Sequence, residues 1–513
     1  MEENKYEYIP AEKFNFVNLG EKISDLKFED KPIGYFKDAW LRFKKSKASV
    51  VGGIIIILVF LYAFIAPVLI KRDPTFMCTV YAKKPARIEA LANIGIANGK
   101  VSRSLSERGL IKQIAVGISA EDAAGKGNIT IAEALDSKYQ PVISYKYNGK
   151  NYDGKIDSYM EVGFIYRSVE QQEYAKMAAW QEETGIQLLY PLVENNEYCL
   201  DKSDANYWYK TDNKGNPVTT KSGSAKTLKF SDDLVLEDNY KRDAKGNVLY
   251  YEFTGGGDVS TAQYKVRVLY YNYYQYLYDQ KPDYFMGTDA QGYDLALRLA
   301  GGIKLSLLIA VCVSVINFVL GTIYGAIEGY YGGIVDLIME RISDILYDIP
   351  FIVLATLFQI HLASKVGAVP TLLFTYVLTG WIGTASLVRT QFYRFKNQEY
   401  VMAARTLGAR DARIIWKHIY PNSLGTIITA SALDIPYVIY SESMLSYLGI
   451  VKLGTAQVTS LGTLLSDASS IWTNYPHLMI VPALTISLLM ISFNLFGNGL
   501  RDAFNPALRG TEE

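Results

Sequence analysis

The stretch Val50–Ile70 reads VVGGIIIILVFLYAFIAPVLI. With Ser49 it makes a run of about 22 residues free of charge, and a helix of that length crosses a hydrocarbon core about 30 Å thick. The whole chain is 513 residues, half of them hydrophobic, with 52 basic and 52 acidic side chains. Such totals fit several soluble domains as well as a membrane protein, and the clustering of the apolar residues decides for the membrane. Further runs of comparable length follow at Ile303–Ile327, Leu337–Ala363, Val369–Leu387, Leu424–Leu448 and His477–Phe496. Six spans are expected. The third is the most charged, with Asp336 just before it and Glu340, Arg341, Asp344 and Asp348 in its first half.

The first span is expected to be an uncleaved anchor. About 48 mostly polar residues precede it, its core exceeds the 7 to 15 residues of a signal-peptide core, and no Ala-x-Ala site follows before LIKRDP. Lys37, Arg42, Lys44, Lys45 and Lys47 stand before it against Asp38 alone, which places segment 1–48 in the cytoplasm. Alternation from span 49–70 puts 71–286 outside and returns the loop 389–422 to the cytoplasm, within a membrane core of 287–500. The tail 501–513 is then cytoplasmic too. The excess of Arg389, Arg394, Lys396, Arg405, Arg410, Arg413 and Lys417 over Glu399 and Asp411 in that loop agrees with the count.

Segment 71–286 is long enough for a domain of its own and reads as mixed α and β. Asn148-Gly149, and Lys-Gly-Asn at Lys126, Lys214 and Lys245, are hairpin turn signals, without a true internal repeat. Helical pieces are expected at SRSLSERGLIKQIAV and RSVEQQEYAKMAAWQEE. The Tyr-rich run YKVRVLYYNYYQYLYD, before the second span, fits a docking or interfacial belt or a Tyr-rich strand pair. Cys78 and Cys199 fit a disulfide or two free thiols, Cys312 sits in a span, and Asn128-Ile129-Thr130 matches a glycosylation sequon.

Little in the chain could carry catalysis. His361, His418 and His477 lie in separate segments with no metal-ligand spacing, and AAGKGN and NGKVS lack the spacing of a phosphate-binding loop. Neither a metal nor a cofactor is expected, and any ATP must be bound by another chain.

The basic loop contains EYVMAARTLGARDARIIWKHIYP, Glu399–Pro421. Val401, Ala404 and Leu407 recur at a spacing of three, and Gly408 offers a stop. Ile414, Ile415, Trp416 and Ile419 make a second apolar pattern, ending at Pro421 and Asn422. The pattern alone fits two amphipathic helices on the inner leaflet or a helix that docks on a partner.

Glu399, Tyr400, Val401, Ala403, Ala404, Arg405, Leu407, Gly408, Ala409, Ile419, Pro421 and Asn422 follow the signature E-Y-V-x-A-A-R-x-L-G-A, then I-x-P-N. GTDAQGYD (Gly287–Asp294), LTGWIGTASLVR (Leu378–Arg389), SESMLSYLG (Ser441–Gly449) and FNLFGNGLRDAFNP (Phe493–Pro506) lie around it. In these motifs, in this order, the sequence resembles ABC importer permeases of the dipeptide and oligopeptide class, over about the last 230 residues plus the first span. The resemblance implies an α-helical polytopic membrane protein with the type I importer permease fold, six transmembrane helices, and a large α+β extracytoplasmic domain inserted between the first two. It implies a non-catalytic subunit of a bacterial plasma membrane, multi-pass with both termini cytoplasmic. Its partners would be a second permease, two ATP-binding subunits, an external solute-binding lipoprotein, membrane lipid and a peptide cargo, with no nucleic acid. Glu399–Gly408 would be the coupling helix that seats in an ATPase groove, with Val401, Ala404 and Leu407 as its apolar face. Met402 stands where the family usually has glutamate, Tyr420 where leucine is commoner, and Tyr293 where arginine is frequent.

Asp294 is expected to cap the second span rather than join Asp289 in a metal loop. Asp348-Ile349-Pro350 and Asp434-Ile435-Pro436 repeat one another near mid-membrane, where proline is expected to break the helix. Asp348, Asp434 and Glu442 are candidates to line or gate the path; packing, or satisfying groups freed by kinks, is the alternative. The inserted domain is expected to contact the binding protein or cap the path, with a passive spacer as the alternative. The rival reading of the whole chain is a membrane receptor that senses a ligand through this domain. No kinase, cyclase or methyl-accepting pattern accompanies it.

Overall fold

The computed structural model of the chain describes residues 35–92, 94–127, 129–148, 151–194, 204–220, 234–254, 263–453 and 459–504. An amphipathic helix α1 (Tyr35–Lys45) leads into the first apolar helix α2 (Lys47–Leu69). The second, α6 (Leu295–Tyr331), starts at Asp294, whose carboxylate accepts the Ala296 N–H at 3.0 Å, and ends at Gly332 with φ +66°. At 37 residues it is longer than a bilayer core is thick. Next come α7 (Gly333–Tyr347), α8 (Phe351–His361), α9 (Ala368–Phe395), the short α10 (Glu399–Thr406), α11 (Asp411–Tyr447), α12 (Leu461–Ala468) and α13 (His477–Phe504). Five of the described helices are long and apolar enough to cross a membrane, and α7 with α8 makes a sixth crossing if the bent pair is one span.

The expected third span is bent by 69° where α7 gives way to α8, at Asp348-Ile349-Pro350. The second copy of that tripeptide behaves differently. Pro436 lies inside α11, so the expectation that proline breaks both helices fails there. A proline deletes one ladder bond, and α11 is held on both sides of the gap by packing against α6, α9, α12 and α13. The expected stop at Pro421 fails too, because α11 runs unbroken from Asp411. A π turn at Ile415–Ile419 ends two residues before Pro421, the residue that has no N–H to donate, and this slip of register carries the helix past the proline.

Around α6 the bundle is built on small residues. Gly321, Gly325 and Gly329 recur every fourth residue along its face toward α9. A Cβ on Gly321 would lie 2.7 Å from the Trp381 carbonyl oxygen, and one on Gly329 2.8 Å from that of Arg389. The two backbones are thus in near contact, as expected where no hydrophobic effect drives helices together. α13 packs against α2 and α11, and Phe43 of α1 meets Phe496 of α13 edge-on at 5.3 Å.

Between α2 and α6 lie two antiparallel sheets. In the first, β1 (Lys100–Ser106), β2 (Val142–Asn148) and β3 (Asn151–Asp157) are ordered β1-β3-β2. In the second, β7 (Gln263–Leu269) pairs with β4 (Phe164–Glu170), β5 (Leu189–Tyr190) and β6 (Tyr251–Thr254). Helices α3 (Glu107–Glu121) and α4 (Gln171–Thr184) follow β1 and β4 directly, so both segments expected to be helical begin as strands. The Tyr-rich run divides into β7 and the helix α5 (Tyr270–Tyr278), whose Tyr270, Tyr271, Tyr273 and Tyr274 are buried; it makes core rather than an interfacial belt. Arg267 on β7 is fully buried, donating to the carbonyls of Ala205 (2.7 Å) and Pro191 (3.0 Å) and to Ser119 Oγ (2.9 Å). Cys78 is a free thiol, 3.2 Å from the Tyr270 hydroxyl; Cys199, Asn128 and Gly149 lie outside the described residues.

An internal repeat is present after all. Tyr209–Asn216 and Tyr240–Asn247 share Y-K-x-D-x-K-G-N. The shared residues act alike: Asp212 Oδ1 accepts from the N–H groups of Lys214 and Asn216, and Asp243 Oδ1 from those of Lys245 and Asn247, all at 2.8–2.9 Å. Each turn closes a hairpin, Val218 N–H to Lys210 O and Leu249 N–H to Lys241 O, both 2.8 Å.

Candidate functional site

The loop after α9 folds back under the bundle because its apolar residues have somewhere to go. Val401, Ile414, Ile415, Ile419 and Ile427 pack with Ala326 and Tyr330 of α6 and Val388 and Phe392 of α9. Within α10, Val401 is wholly buried, Ala404 half-buried, and Tyr400, Met402, Ala403 and Thr406 face outward, as does Leu407 just after its end, which is 88% exposed. The expected apolar face of Val401, Ala404 and Leu407 is therefore split: its first residue anchors the helix and its last is free. An eight-residue helix with apolar residues on both sides does not reveal from spacing alone which side meets its own chain.

Polar contacts fix α10 at both ends. Its C-terminus closes as a Schellman turn, Gly408 N–H to Arg405 O and Ala409 N–H to Ala404 O at 3.0 Å each, with Gly408 at φ +79°. Arg405 lies over the Tyr330 ring and donates to its hydroxyl at 3.4 Å, and that hydroxyl donates to Asp411 Oδ1 at 2.6 Å. Asn422 of α11 donates to the Tyr400 hydroxyl at 3.2 Å and to His418 O at 2.7 Å. Signature residues Arg405, Tyr400 and Asn422 thus tie α10 to the ends of α6 and α11. Glu399 is exposed and enters none of these contacts.

The charges that crowded the expected third span belong to the same end of the bundle. Arg389 of α9 grips Asp336 with Nε and Nη2 at 2.6 and 2.9 Å and Glu340 at 2.9 and 3.1 Å, while Glu328 of α6 lies 3.5 Å away. Tyr393 donates to Asp336 at 2.6 Å, and Lys396 caps the Gly329 carbonyl at 3.0 Å. Burial holds the Lys396 ammonium below the usual lysine range, with the Asp336 charge opposing. Tyr330 and this carboxylate group escape sequence reading. The signal that could have found the latter is Asp336 and Glu340, one turn apart, opposite a lone arginine at a span's end.

GTDAQGYD forms a strut at the opposite end of α6. Asp289 Oδ1 accepts the N–H groups of Gln291, Gly292 and Tyr293 at 2.9–3.0 Å and so closes a turn. Among the described residues no group of three His, Cys, Asp or Glu could hold a metal ion. Asp294 both caps α6 and meets Arg72 at 2.5 Å, with the Arg72 guanidinium 4.0 Å above the Tyr284 ring. Burial raises the Asp294 carboxyl above the usual range and outweighs the guanidinium beside it.

The three acidic path candidates do not come together. Asp348 is exposed at the bend between α7 and α8, and Asp434 is half-buried in α11 without an ion pair among the described residues. Glu442 is wholly buried; its carboxylate accepts from Ser306 Oγ and Ser446 Oγ at 2.9 Å each. Neutral hydroxyls satisfy it, and it ties α11 to α6.

Residues 318–510 match the family profile described as binding-protein-dependent transport system inner membrane component, and residues 34–85 match that of the N-terminal transmembrane domain of oligopeptide transport permease C. Residues 86–317 fall in neither. The chain is 40% identical over 227 residues to the oligopeptide transport system permease protein OppC of Bacillus subtilis (strain 168), covering 44% of this chain and 73% of the relative. It is 39% identical over 228 residues to the dipeptide transport system permease protein DppC of the same strain, covering 44% and 70%. To the OppC of Haemophilus influenzae it is 42% identical over 225 residues, again 44% and 70%. A solved inward-facing methionine ABC transporter aligns over 41% of this chain and 98% of its own, at 18% identity and a TM-score of 0.34. The chain therefore belongs to the inner-membrane permeases of binding-protein-dependent ABC importers, multi-pass and non-catalytic subunits that work with another permease, ATPase subunits and a binding protein.

Proposed function

We propose that this permease carries oligopeptides or dipeptides and that α10 is the contact through which two ATP-binding subunits drive it. The observation that carries the reading is a short helix clamped to α6 and α11 by Arg405, Tyr330, Asp411 and Asn422, yet presenting Tyr400, Met402, Ala403, Thr406 and Leu407 outward. A push on that face reaches two spanning helices without first deforming a flexible loop. Met402, 52% exposed, makes that outward face apolar. A second, similar permease completes the path, to which Asp348 and Asp434 contribute. The loop 389–422 and both termini lie in the cytoplasm, and 71–286 lies outside, where it meets a solute-binding lipoprotein or caps the path. The names of the relatives, oligopeptide and dipeptide permeases, support the cargo.

The test is Leu407→Glu in the assembled importer. Its side chain contacts solvent in the free chain, so the variant melts at the same temperature as the parent. Stimulation of ATP hydrolysis by loaded binding protein drops by about tenfold or more, as for the loss of a contact of about 2 kcal/mol at the centre of an interface. Unchanged stimulation would remove α10 from the coupling route.

A further inference from the structure

The two repeated hairpins and the sheet built on β7 enclose a cleft of about 870 Å³, lined among others by Tyr166, Glu194, Lys210, Asn239, Lys241 and Lys265. That is the size of a small-molecule site. Most of its charges are matched within the domain. Lys210 pairs with Glu237, Lys241 with Glu252 at 2.9 Å, and Arg242 with Asp238 at 2.9 Å.

Two charges are left over. Neither the Glu194 carboxylate nor the Lys265 ammonium has an ion-pair partner among the described residues; Lys265 instead lies 4.3 Å over the Tyr166 ring. Asn239 supplies a third unmatched group. It is only 7% exposed, and its Nδ2 donates to the carbonyls of Glu194 and Tyr207, which fixes the orientation of the amide. Its Oδ1 is left buried with no donor.

We propose that the cleft binds a short zwitterionic peptide, its ammonium on Glu194 and its carboxylate on Lys265. Tyr166 lines the cleft beside Lys265. Its ring face lies under Lys265 and its hydroxyl reaches the carbonyl of Val193, next to Glu194, at 3.5 Å. A ligand with an ammonium at one end and a carboxylate at the other matches this pair of unpaired opposite charges on one cleft. The preference for a peptide over other zwitterions rests on the proposed cargo; the charge pattern of the cleft does not.

The test titrates the full chain in detergent with trialanine, N-acetyl-trialanine and trialanine amide, by calorimetry. Trialanine binds saturably, and blocking either end weakens binding by about tenfold or more. In Glu194→Gln, acetylation costs nothing further, and in Lys265→Gln, amidation costs nothing further. Because the blocked peptides are tested on the unaltered chain, the result does not depend on either variant folding. No saturable binding at millimolar trialanine, equal binding of the blocked peptides, or capture of a folded binding protein at this surface without binding of free peptide would each overturn the proposal. ATP-driven uptake is read separately. Uptake of trialanine without binding in the cleft sinks this site and leaves the cargo reading standing, whereas binding without uptake does the reverse.

Discussion

Arg72 and Asp294 make the case for how single residues hold this protein together. The carboxylate is buried, caps α6, and depends on one guanidinium that is itself stacked on Tyr284. Removing one partner of a buried pair leaves a charge without compensation, at about 3–5 kcal/mol. Arg72→Leu should therefore destabilise the junction between α6 and the inserted domain by about that amount, and Arg72→Leu with Asp294→Asn should recover most of the loss, because asparagine still caps the helix. Thermal unfolding of the three chains in detergent decides it; equal stability of Arg72→Leu and the parent would show that the pair is incidental. Asp294 as a cap was legible in the sequence. Arg72 as its partner was not, since 222 residues separate the two in the chain. Val401 shows the same limit, because its apolarity was plain while its direction was set by Phe392 and Tyr330 in distant helices.

At the scale of the element, α6 and α9 depend on glycines. Gly325 meets the backbone of Ala385 and the Val388 side chain, and any larger residue there must push the helices apart. Gly325→Leu is expected to cost more than the 1–3 kcal/mol typical of overpacking, about 3 kcal/mol or above, because the obstacle is backbone. Gly301→Ala, where a new Cβ meets nothing within 4 Å, serves as the control and should leave the melting temperature unchanged or slightly raised. A melting temperature unaltered by Gly325→Leu would contradict the close approach. Apolar runs of bilayer length were enough to locate the spans. They could not tell that Pro350 sits at a 69° bend while Pro436 and Pro421 are absorbed, because the outcome depends on packing either side of the proline. The repeat of Y-K-x-D-x-K-G-N was visible in the sequence, yet its Lys-Gly-Asn core looks like any turn until the aspartate three residues before each asparagine's neighbour is seen closing both loops.

On the scale of the whole molecule, one bundle carries a cytoplasmic contact at one end and an inserted domain with a zwitterionic cleft at the other, a division that rests on the proposed topology. The strut of Asp289, Asp294 and Arg72 joins the domain to the start of α6, and Tyr330 joins the far end of the same helix to α10. α6 thus connects both ends as one continuous helix of 37 residues. The receptor alternative has no observation in its favour once the family is established. The central claim is that α10 meets the ATPase with the face opposite Val401. Single cysteines at Ala403, Leu407 and Val401, in an importer whose ATPase groove carries a cysteine scanned along its length, test this by disulfide cross-linking. Ala403→Cys and Leu407→Cys should cross-link to the ATPase subunit with a yield that changes on ATP binding, and Val401→Cys should not. Cross-linking through position 401 alone, or none from positions 403 and 407, would contradict the account.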